Sequence, residues 1–411
     1  MGRQIETLRA QGHDVTVLSF IASAFDQKLA DDLRGDQRYD FVKLHPMSRL
    51  LHAALAPWLP ACFAARTSLR FACKLLYHIR HDRIEAIHAE YAVMGQYQWI
   101  LRFAPHLRFI MTEHDVTLQS YERKCRQQRG PLLWFFRWQT WRVRVCEARY
   151  LRRAERVLTF SEKDKDLLLS YYGLRKVFVL HPYFGIEDAD IEKGEKARRE
   201  AVLHRAVGAG DSSLEKVGNR DGNESRSRST FDVQKEPSEI CFLGQMGRRE
   251  NADAAARLIR LCAKLREEGL QLHLSIIGNA PPEALCAAAR AAGSFVEVTG
   301  FVEDVDAWLV RAKLAVFPLT EGAGIKLKVL RSMALGVPVI TTAIGAEGID
   351  EGGEVLCLAE TDEDFLRKMH ALLALEQPAY EALCQRSRRY VRRNFAWGQS
   401  ETVLAELYAE K

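Results

Sequence analysis

The chain has 411 residues, of which 47% are hydrophobic and 27% are charged. This composition is typical of a globular protein, and the length suggests two or three domains. No stretch reaches the roughly 20 consecutive apolar residues of a membrane-spanning helix, and the N-terminus lacks the pattern of a secretory signal. An integral membrane protein and an exported protein are therefore disfavoured. The cysteines are scattered and never form a C-x-x-C pair, which predicts reduced thiols in a cytoplasmic protein without structural zinc.

The positive charge is concentrated in the first half of the chain. Residues 1–189 carry 29 Lys and Arg against 20 Asp and Glu, although the net charge of the whole chain is only +5. Segment 41–80 contains basic but no acidic residues, interleaved with Leu, Phe and Trp. It predicts either a surface that lies on an anionic membrane or an ordinary surface helix with long arginine stems. No recognised RNA- or DNA-binding module accompanies these charges, so nucleic acid is not an expected partner.

In chain order, the first half alternates short apolar runs with longer helical patterns. The runs are at 13–20, 86–89, 109–112, 157–160 and 177–182. Such alternation predicts parallel strands with crossover helices, and hence a doubly wound α/β domain over 1–189. A polar stretch rich in Gly, Asp, Ser, Asn and Arg interrupts the rhythm, and it predicts a disordered linker over 190–237.

A second series of apolar runs follows the linker. These runs are at 240–244, 272–278, 296–300, 314–318 and 337–342. Several end in Gly or Pro and lead into a helical pattern, which predicts loops and helix N-termini at the carboxyl edge of a second parallel sheet. The predicted architecture is α/β, with two doubly wound Rossmann-like domains facing a cleft. The second domain spans 238–411 and includes a terminal helix.

The loop after the run at 314–318 has the composition of an anion site. Gly322 and Gly324 allow a ligand to approach the backbone closely, and a helix begins just after them. Lys326 and Lys328 at this helix N-terminus oppose the helix dipole, a conflict that a bound diphosphate would remove. A lone G-x-G between strand and helix also occurs with a purely structural role, and that alternative stays open.

A second glycine-bearing loop follows the run at 240–244. It contains Gly244, Arg248 and Arg249 ahead of an amphipathic helix. Arginines on such a loop offer paired donors to phosphate oxygens, and two basic glycine loops in one α/β domain point to a nucleotide ligand. The alternative is that both arginines are solvated surface residues.

From residue 240 onward the chain contains, in this order, the motifs FLGxM, IG, VTGFVxDV, PL, GAGIKLKVLxxMAxGVPVI and GAEGI. In these motifs and their order it resembles the C-terminal donor domain of family 4-like glycosyltransferases, the GT-B enzymes of "glycosyl transferases group 1". The first half resembles the family's acceptor domain more loosely, through GHDV, EHDV, EAR and SEKD.

The resemblance implies a GT-B fold and transfer of a sugar from a nucleotide-sugar, with retained anomeric configuration and no metal or other cofactor. It also implies a set of roles for individual residues. Donor-binding residues would be Gly244, Arg248, Arg249, Gly322, Gly324, Lys326, Lys328 and Arg331; catalytic residues would be His114 and Glu321; acceptor-side residues would be Glu90 and Glu347. For Glu321 the alternative is a helix cap, for His114 a loop histidine, for Glu90 a surface carboxylate and for Glu347 a turn residue.

Two departures from the family pattern are present. Arg331 stands where the family usually has a glutamate that holds the nucleotide ribose, and arginine cannot accept a hydrogen bond from a hydroxyl. The chain also opens inside what would be the first helix, so the first strand of the N-terminal domain is expected to be missing. Both departures predict altered donor or acceptor binding.

The leading hypothesis is a cytoplasmic glycosyltransferase, peripheral at the inner face of the membrane, that adds a sugar to a glycan or lipid-linked acceptor in cell-surface polysaccharide synthesis. One alternative is an impaired or truncated relative that acts as a binding or scaffold protein. Another is a nucleotide-sugar epimerase or hydrolase on the same fold. The nucleotide, the sugar and the acceptor depend on pocket shape, which the sequence does not give.

Overall fold

The structure is a computed structural model that describes residues 2–21, 24–33, 35–36, 38–44, 58–184 and 238–409. Two units are distinguished within it. The first contains residues 1–183, 323–325 and 396–411, and the second contains residues 184–322 and 326–395. The predicted linker over 190–237 lies outside the described residues, and it stays a prediction.

The first unit alternates helices and strands, as its sequence pattern predicts. Its elements are α1 (Gly2–Ala10), β1 (Val17–Ile21), α2 (Ala24–Asp32), β2 (Tyr39–Lys43), α3 (Ala61–Ala64), α4 (Leu69–His81), β3 (Ala86–Glu90), a 3₁₀ helix (Ala92–Arg102), β4 (Arg108–Glu113), α5 (Thr117–Gln127), α6 (Pro131–Arg153), β5 (Arg156–Thr159), α7 (Glu162–Tyr172) and β6 (Val177–Val179). Each predicted run therefore contains a strand, although β1 begins only at Val17, and β2 was not predicted.

The strands of the first unit form two parallel sheets. β1 pairs with β2, and the other sheet has the order β3-β4-β5-β6. β4 is buried from Phe109 to Glu113, as expected for a central parallel strand covered on both faces. Within the described residues, β1 and β3 are each at an edge of their sheet. The expected absence of a first strand stays a prediction.

The terminal helix belongs to the first unit, not to the second as the domain prediction has it. This helix, α15 (Trp397–Tyr408), buries Leu404 and Leu407 with Ile110 of β4 and Leu158 of β5. The Trp397 indole N–H also donates to the Thr7 hydroxyl of α1 at 3.0 Å. The apolar stripe of the helix therefore completes the core beside the sheet β3-β4-β5-β6. This contact joins residues far apart in the sequence, so the order of elements along the chain does not indicate it.

The second unit contains a single described sheet. Its elements are β7 (Ser238–Leu243), α8 (Arg249–Glu267), β8 (Leu272–Ile277), α9 (Glu283–Ala292), β9 (Val296–Gly300), α10 (Val305–Arg311), β10 (Leu314–Phe317), α11 (Leu327–Ala334), β11 (Val339–Thr341), α12 (Ala343–Ala346), β12 (Cys357–Leu358), α13 (Asp362–Leu373) and α14 (Gln377–Phe395).

The sheet of the second unit is parallel and has the order β12-β11-β10-β7-β8-β9. When its strands are numbered from β7 onward, this is the strand order of the Rossmann fold. The direction in which the chain winds across the sheet reverses between β7 and β10. The loops after β7 and β10 therefore leave adjacent strands on opposite sides. Ligands of doubly wound sheets bind in the crevice at this reversal, and both glycine-bearing loops lie there.

The described part of segment 41–80 favours the surface-helix interpretation over the membrane interpretation. Leu59, Phe63 and Phe71 are buried core residues. Lys74 forms an ion pair with Asp40, an acidic residue just outside the segment. The apolar residues of the described part are thus used for packing, and residues 45–57 lie outside the described residues.

Candidate functional site

The loop after β7 is held tightly against the end of β8. A Cβ atom on Gly278 would lie 1.6 Å from the Gly244 carbonyl oxygen, so only glycine fits at residue 278. The Gly244 N–H donates to the Ile277 carbonyl at 3.0 Å, and the Met246 N–H donates to the Asn279 carbonyl at 3.0 Å. These contacts fix the start of α8 and with it Asn251, whose amide donates to the Gln245 carbonyl at 2.9 Å.

Lys328 lies at the centre of the predicted donor site. Its ammonium donates to Asn251 Oδ1 at 2.6 Å and lies over the Phe242 ring, 4.8 Å from the ring centre. Burial, and after it the charges of Lys326 and Arg248, lower the pKa of Lys328 to about 7. A half-buried lysine near two further cations is an unfavourable arrangement that an anionic ligand would relieve, although the nearby Glu250 carboxylate acts in the opposite direction to these cations.

The two arginines of the β7 loop have different surroundings. Arg248 contributes to the lowered pKa of Lys328, and its guanidinium lies 2.6 Å from Glu250. The Arg249 side chain is 87% exposed and pairs with Asp253 one turn along α8 at 3.2 Å. Both arginines are thus exposed and paired with an acidic residue, and Arg248 differs in lying close enough to Lys328 to lower its pKa.

The loop after β10 uses backbone conformations that favour glycine. Gly322 has φ +123° and Gly324 has φ +68°. α11 begins only at Leu327, and its capping residue Lys326 makes no side-chain cap. Glu321 is exposed and lies well before this helix, so the helix-cap alternative for Glu321 is wrong. The first turn of α11 leaves backbone N–H groups without a side-chain cap, as the predicted anion site requires.

Arg331, on the same helix, is neutralised by an acidic neighbour. Its Nε donates to Asp306 Oδ1 of α10 at 2.6 Å, and both side chains are about one third exposed. The arginine therefore does not add an uncompensated charge. Asp306 also places a carboxylate next to residue 331. The family pattern has a carboxylate at residue 331 itself.

In the first unit, His114 and Glu90 come together as neighbours at the ends of adjacent strands. Glu90 ends β3, His114 follows β4, and the two strands run parallel. His114 Nε2 lies 2.7 Å from Glu90 Oε2. The His114 ring stacks on Tyr91 with ring centres 3.9 Å apart, and Phe160 packs edge-on against it at 4.8 Å. The imidazole is therefore fixed in position and orientation, which the loop-histidine alternative does not require.

Charges around this pair keep Glu90 ionised. Burial alone would raise its pKa, but the hydrogen bond from His114 and the nearby His88 hold the pKa of Glu90 below its usual range. Burial lowers the pKa of His88, whose ring bonds to the Tyr408 hydroxyl at 2.5 Å and to the Thr112 hydroxyl at 2.6 Å. An ionised Glu90 accepts from His114 Nε2, which leaves Nδ1 as the other reactive position of the ring.

A buried carboxyl group supports the backbone just beyond His114. Glu147 of α6 accepts hydrogen bonds from the N–H groups of Thr117 and Leu118, at 3.0 and 3.1 Å, and from the Tyr172 hydroxyl. Burial raises the pKa of Glu147 to about 7. Glu147 thus caps the N-terminus of α5 and fixes the segment that follows His114.

The two predicted acceptor-side carboxylates belong to different units. Glu90 is in the first unit, whereas Glu347 is a buried residue at the C-terminal end of α12 in the second. The following turn is closed by Asp350, which accepts from the N–H groups of Val355 and Leu356 at 2.7 Å each. The role of Glu347 stays a prediction.

Sequence reasoning missed the residues that hold the site residues in place. Tyr91 stacks on His114 from a left-handed backbone conformation with φ +72°, and Phe160 closes the other side. Asn251 and Asp306 pair with Lys328 and Arg331. The position of Tyr91 and Phe160 directly after strands was an available signal, because strand ends of a parallel sheet share one edge.

Within the described residues, no group of three or more His, Cys, Asp or Glu is arranged to hold a metal ion. None of the helices in the described ranges is both long and apolar enough to cross a membrane.

Comparisons with known proteins agree with the sequence resemblance. The family model described as "Glycosyl transferases group 1" matches residues 237–375, and the one described as "Glycosyl transferase 4-like domain" matches residues 1–183. No curated protein matches the chain.

Several solved structures have a similar fold at low sequence identity. Sucrose-phosphate synthase of Thermosynechococcus elongatus is 17% identical with a TM-score of 0.63, and the match covers 99% of this chain and 91% of that one. HepE of Anabaena, solved in complex with UDP and glucose, is 13% identical with a TM-score of 0.62 over 98% and 94% of the two chains. WaaG, a glycosyltransferase involved in lipopolysaccharide biosynthesis, is 16% identical with a TM-score of 0.59 over 99% and 95%.

Proposed function

The chain belongs to the group 1 glycosyltransferases of the GT-B fold, and we propose that it transfers a sugar from a nucleotide-sugar to a glycan or lipid-linked acceptor. The observation that carries the proposal is the environment of Lys328. A half-buried ammonium with a pKa of about 7 lies at the reversal point of the second sheet, where Lys326 and Arg248 add two further positive charges. This is a site for the diphosphate of a donor.

The proposed chemistry follows from where negative charge develops. When the bond between the sugar and the diphosphate breaks, charge accumulates on the leaving phosphate. Lys328, Lys326 and the N–H groups at the start of α11 would stabilise that charge, and the leaving diphosphate would not need a metal ion for this purpose. Protonation of Lys328 on donor binding adds to the effect, because an adjacent diphosphate favours the charged form of the lysine.

In the first unit, the fixed His114 and Glu90 would contact the reacting sugars. His114 is held by stacking and by its bond to Glu90, so it would present one defined ring edge to a substrate hydroxyl. Glu321, exposed on the loop after β10, would contact the donor sugar, as the family resemblance implies. Retention of the anomeric configuration is proposed on the same resemblance.

Further parts of the proposal concern the donor, the pathway and the location. HepE binds UDP and glucose, so UDP-sugars are the first donors to test. We place the reaction in cell-surface polysaccharide synthesis at the inner face of the cytoplasmic membrane. The support is the excess of basic residues in the first half of the chain, which would attract anionic lipids and anionic acceptors.

The test is donor binding followed by transfer. Thermal unfolding of the purified chain is measured with UDP-, GDP- and ADP-sugars, and the donor that stabilises it is then incubated with a membrane extract as acceptor source. We expect one nucleotide to raise the melting temperature, since a ligand at about 100 times its Kd adds about 2.7 kcal/mol of stability. The configuration of the product is read by NMR. Donor consumption without any acceptor would indicate a hydrolase or epimerase and contradict the proposal.

A second candidate function is a binding or scaffold protein without turnover. The observation that favours it is the pairing of Arg331 with Asp306, which occupies a carboxylate near the expected ribose position. It predicts that no donor stabilises the chain, while an Arg331→Glu variant is stabilised.

A further inference from the structure

The longest helix of the first unit has an unusual distribution of side chains. Each exposed residue of α6 is either apolar or an arginine. Trp134, Trp138, Trp141 and Val145 are 71, 50, 62 and 50% exposed. Their spacing of four, three and four residues places them on one side of the helix, over a length of about 16 Å. We call these four residues the aromatic face; Leu132 and Phe135, near the start of the helix, are also exposed.

The orientation of α6 is fixed by polar groups on its buried side. Gln139 accepts from the Ala61 N–H at 3.0 Å, Arg142 donates to the Leu59 carbonyl, and Glu147 caps α5. All three side chains are buried. A rotation of the helix that hid the tryptophans would break these hydrogen bonds inside the protein, so exposure of the aromatic face is a consequence of the fold.

Positive charge surrounds the aromatic face. Residues 122–153 contain ten Lys and Arg and two acidic residues, the buried Glu147 and Glu122, which pairs with Arg144 at 3.4 Å. Five of the arginines are exposed on α6 itself: Arg137, Arg144, Arg149, Arg152 and Arg153. Arg137 lies 5.8 Å from the Trp134 ring centre, and Arg142 lies 4.2 Å from that of Trp138.

We propose that the aromatic face of α6 docks the protein on an anionic membrane surface, with the tryptophans in the headgroup region and the arginines against lipid phosphates. Tryptophan and arginine are the side chains that prefer the interface between water and lipid. A second copy of this chain is a poorer occupant, because two faces of the same positive charge repel each other. Trp58, 70% exposed beside Leu59, adds to the surface near Arg142.

The proposal deepens the membrane part of the proposed function and differs from the sequence prediction, which assigned membrane contact to segment 41–80. It does not depend on sugar transfer, because vesicle binding requires neither donor nor acceptor. It does give the transfer a place: a lipid-linked acceptor would be met at the surface on which α6 rests.

The test uses the full chain and vesicles of phosphatidylcholine, with and without phosphatidylglycerol. We expect cosedimentation with the anionic vesicles, weakened by salt. The triple change Trp134→Ser, Trp138→Ser and Trp141→Ser should lower partitioning by about tenfold or more. The triple change Arg137→Gln, Arg149→Gln and Arg153→Gln should remove the preference for anionic vesicles. Phe301→Ser, which removes a 72% exposed ring in the second unit, is the matched control and should have no effect.

A second measurement needs no variant. Brominated lipids quench tryptophan that enters a bilayer, so the unaltered protein should lose fluorescence on brominated anionic vesicles. Absence of quenching and of cosedimentation at low salt would overturn the proposal, and so would binding that is unchanged in a folded tryptophan variant. Self-association that disappears in the tryptophan variant, without vesicle binding, would overturn it in favour of an interface between copies. Donor binding measured on the same samples distinguishes these outcomes from failure of the proposed transferase function.

Discussion

The two units hold their functional side chains by different means. In the second unit, Lys328 and Arg248 lie at the starts of the helices that follow two adjacent strands at the reversal point of one sheet, so the topology brings them together. In the first unit, His114 follows β4 and is held between two aromatic rings and a carboxylate at the ends of β3 and β5. The glycine and lysine spacing of the second unit can thus be read locally in the sequence, whereas the orientation of a histidine depends on tertiary packing.

The largest expected effect comes from the second unit. Lys328→Met keeps most of the unbranched side chain and removes its charge, so donor affinity should fall by about 10- to 100-fold, the range of a lost charge-assisted hydrogen bond. The fold should survive, because the change removes a half-buried charge. Isothermal calorimetry with the stabilising nucleotide, together with the melting temperature, checks both statements.

The two arginines of the β7 loop provide the control for this prediction. Arg248→Gln should weaken donor binding, whereas Arg249→Gln removes the same charge from an exposed side chain paired with Asp253 and should leave it nearly unchanged. Equal effects of the two changes would contradict the assignment of Arg248 to the site.

The next largest effect comes from the first unit. Glu90→Gln removes the charge that orients His114, and His114→Ala removes the ring; we expect transfer rates to fall by about 10- to 100-fold. Donor affinity in the second unit should stay the same, so the loss appears in kcat. A loss of donor affinity instead of rate would show that this pair acts on donor binding.

Glu90→Gln also carries a prediction for pH dependence. The pKa of Glu90 is held below its usual range, so this group stabilises the folded state above its unfolded-state pKa, and that stabilisation is lost as the pH falls through the folded-state value. The melting temperature of the Gln variant should therefore change less between neutral and acidic pH than that of the parent protein. If the two proteins showed the same dependence of melting temperature on pH, Glu90 would not be an ionised partner of His114.

The smallest effect is expected at Arg331. Arg331→Glu places a carboxylate where the family has one, but it also brings that carboxylate next to Asp306. Donor affinity should therefore rise only a few-fold, and the double change Arg331→Glu with Asp306→Asn should bind more tightly than the single one, because like-charge repulsion is removed. Tighter binding by the parent protein than by either variant would show that Arg331 itself contacts the donor.

The sequence predicted most strands of the sheets and the two glycine-bearing loops beside them, because apolar periodicity and glycine spacing are local signals, but it did not predict β2 or β12. It misplaced α15, since Leu404 and Leu407 pack on a sheet more than 200 residues earlier in the chain. The sequence also offered 41–80 as a membrane surface. The composition of this segment, Leu and Phe interleaved with Arg, does not tell whether its apolar side faces the core or the lipid. Burial of Phe63 and Phe71, and exposure of Trp134 and Trp141, are decided by tertiary contacts.

Proton uptake on nucleotide binding tests the role of Lys328 most directly. At pH 8 a lysine with a pKa of about 7 is mostly neutral, and a bound diphosphate would raise that pKa and protonate the lysine. Calorimetry of the stabilising nucleoside diphosphate in buffers of different ionisation enthalpy should show uptake of about one proton by the parent protein and little by Lys328→Met. No binding by any of UDP, GDP and ADP, or equal uptake by both proteins, would contradict a diphosphate site at Lys328.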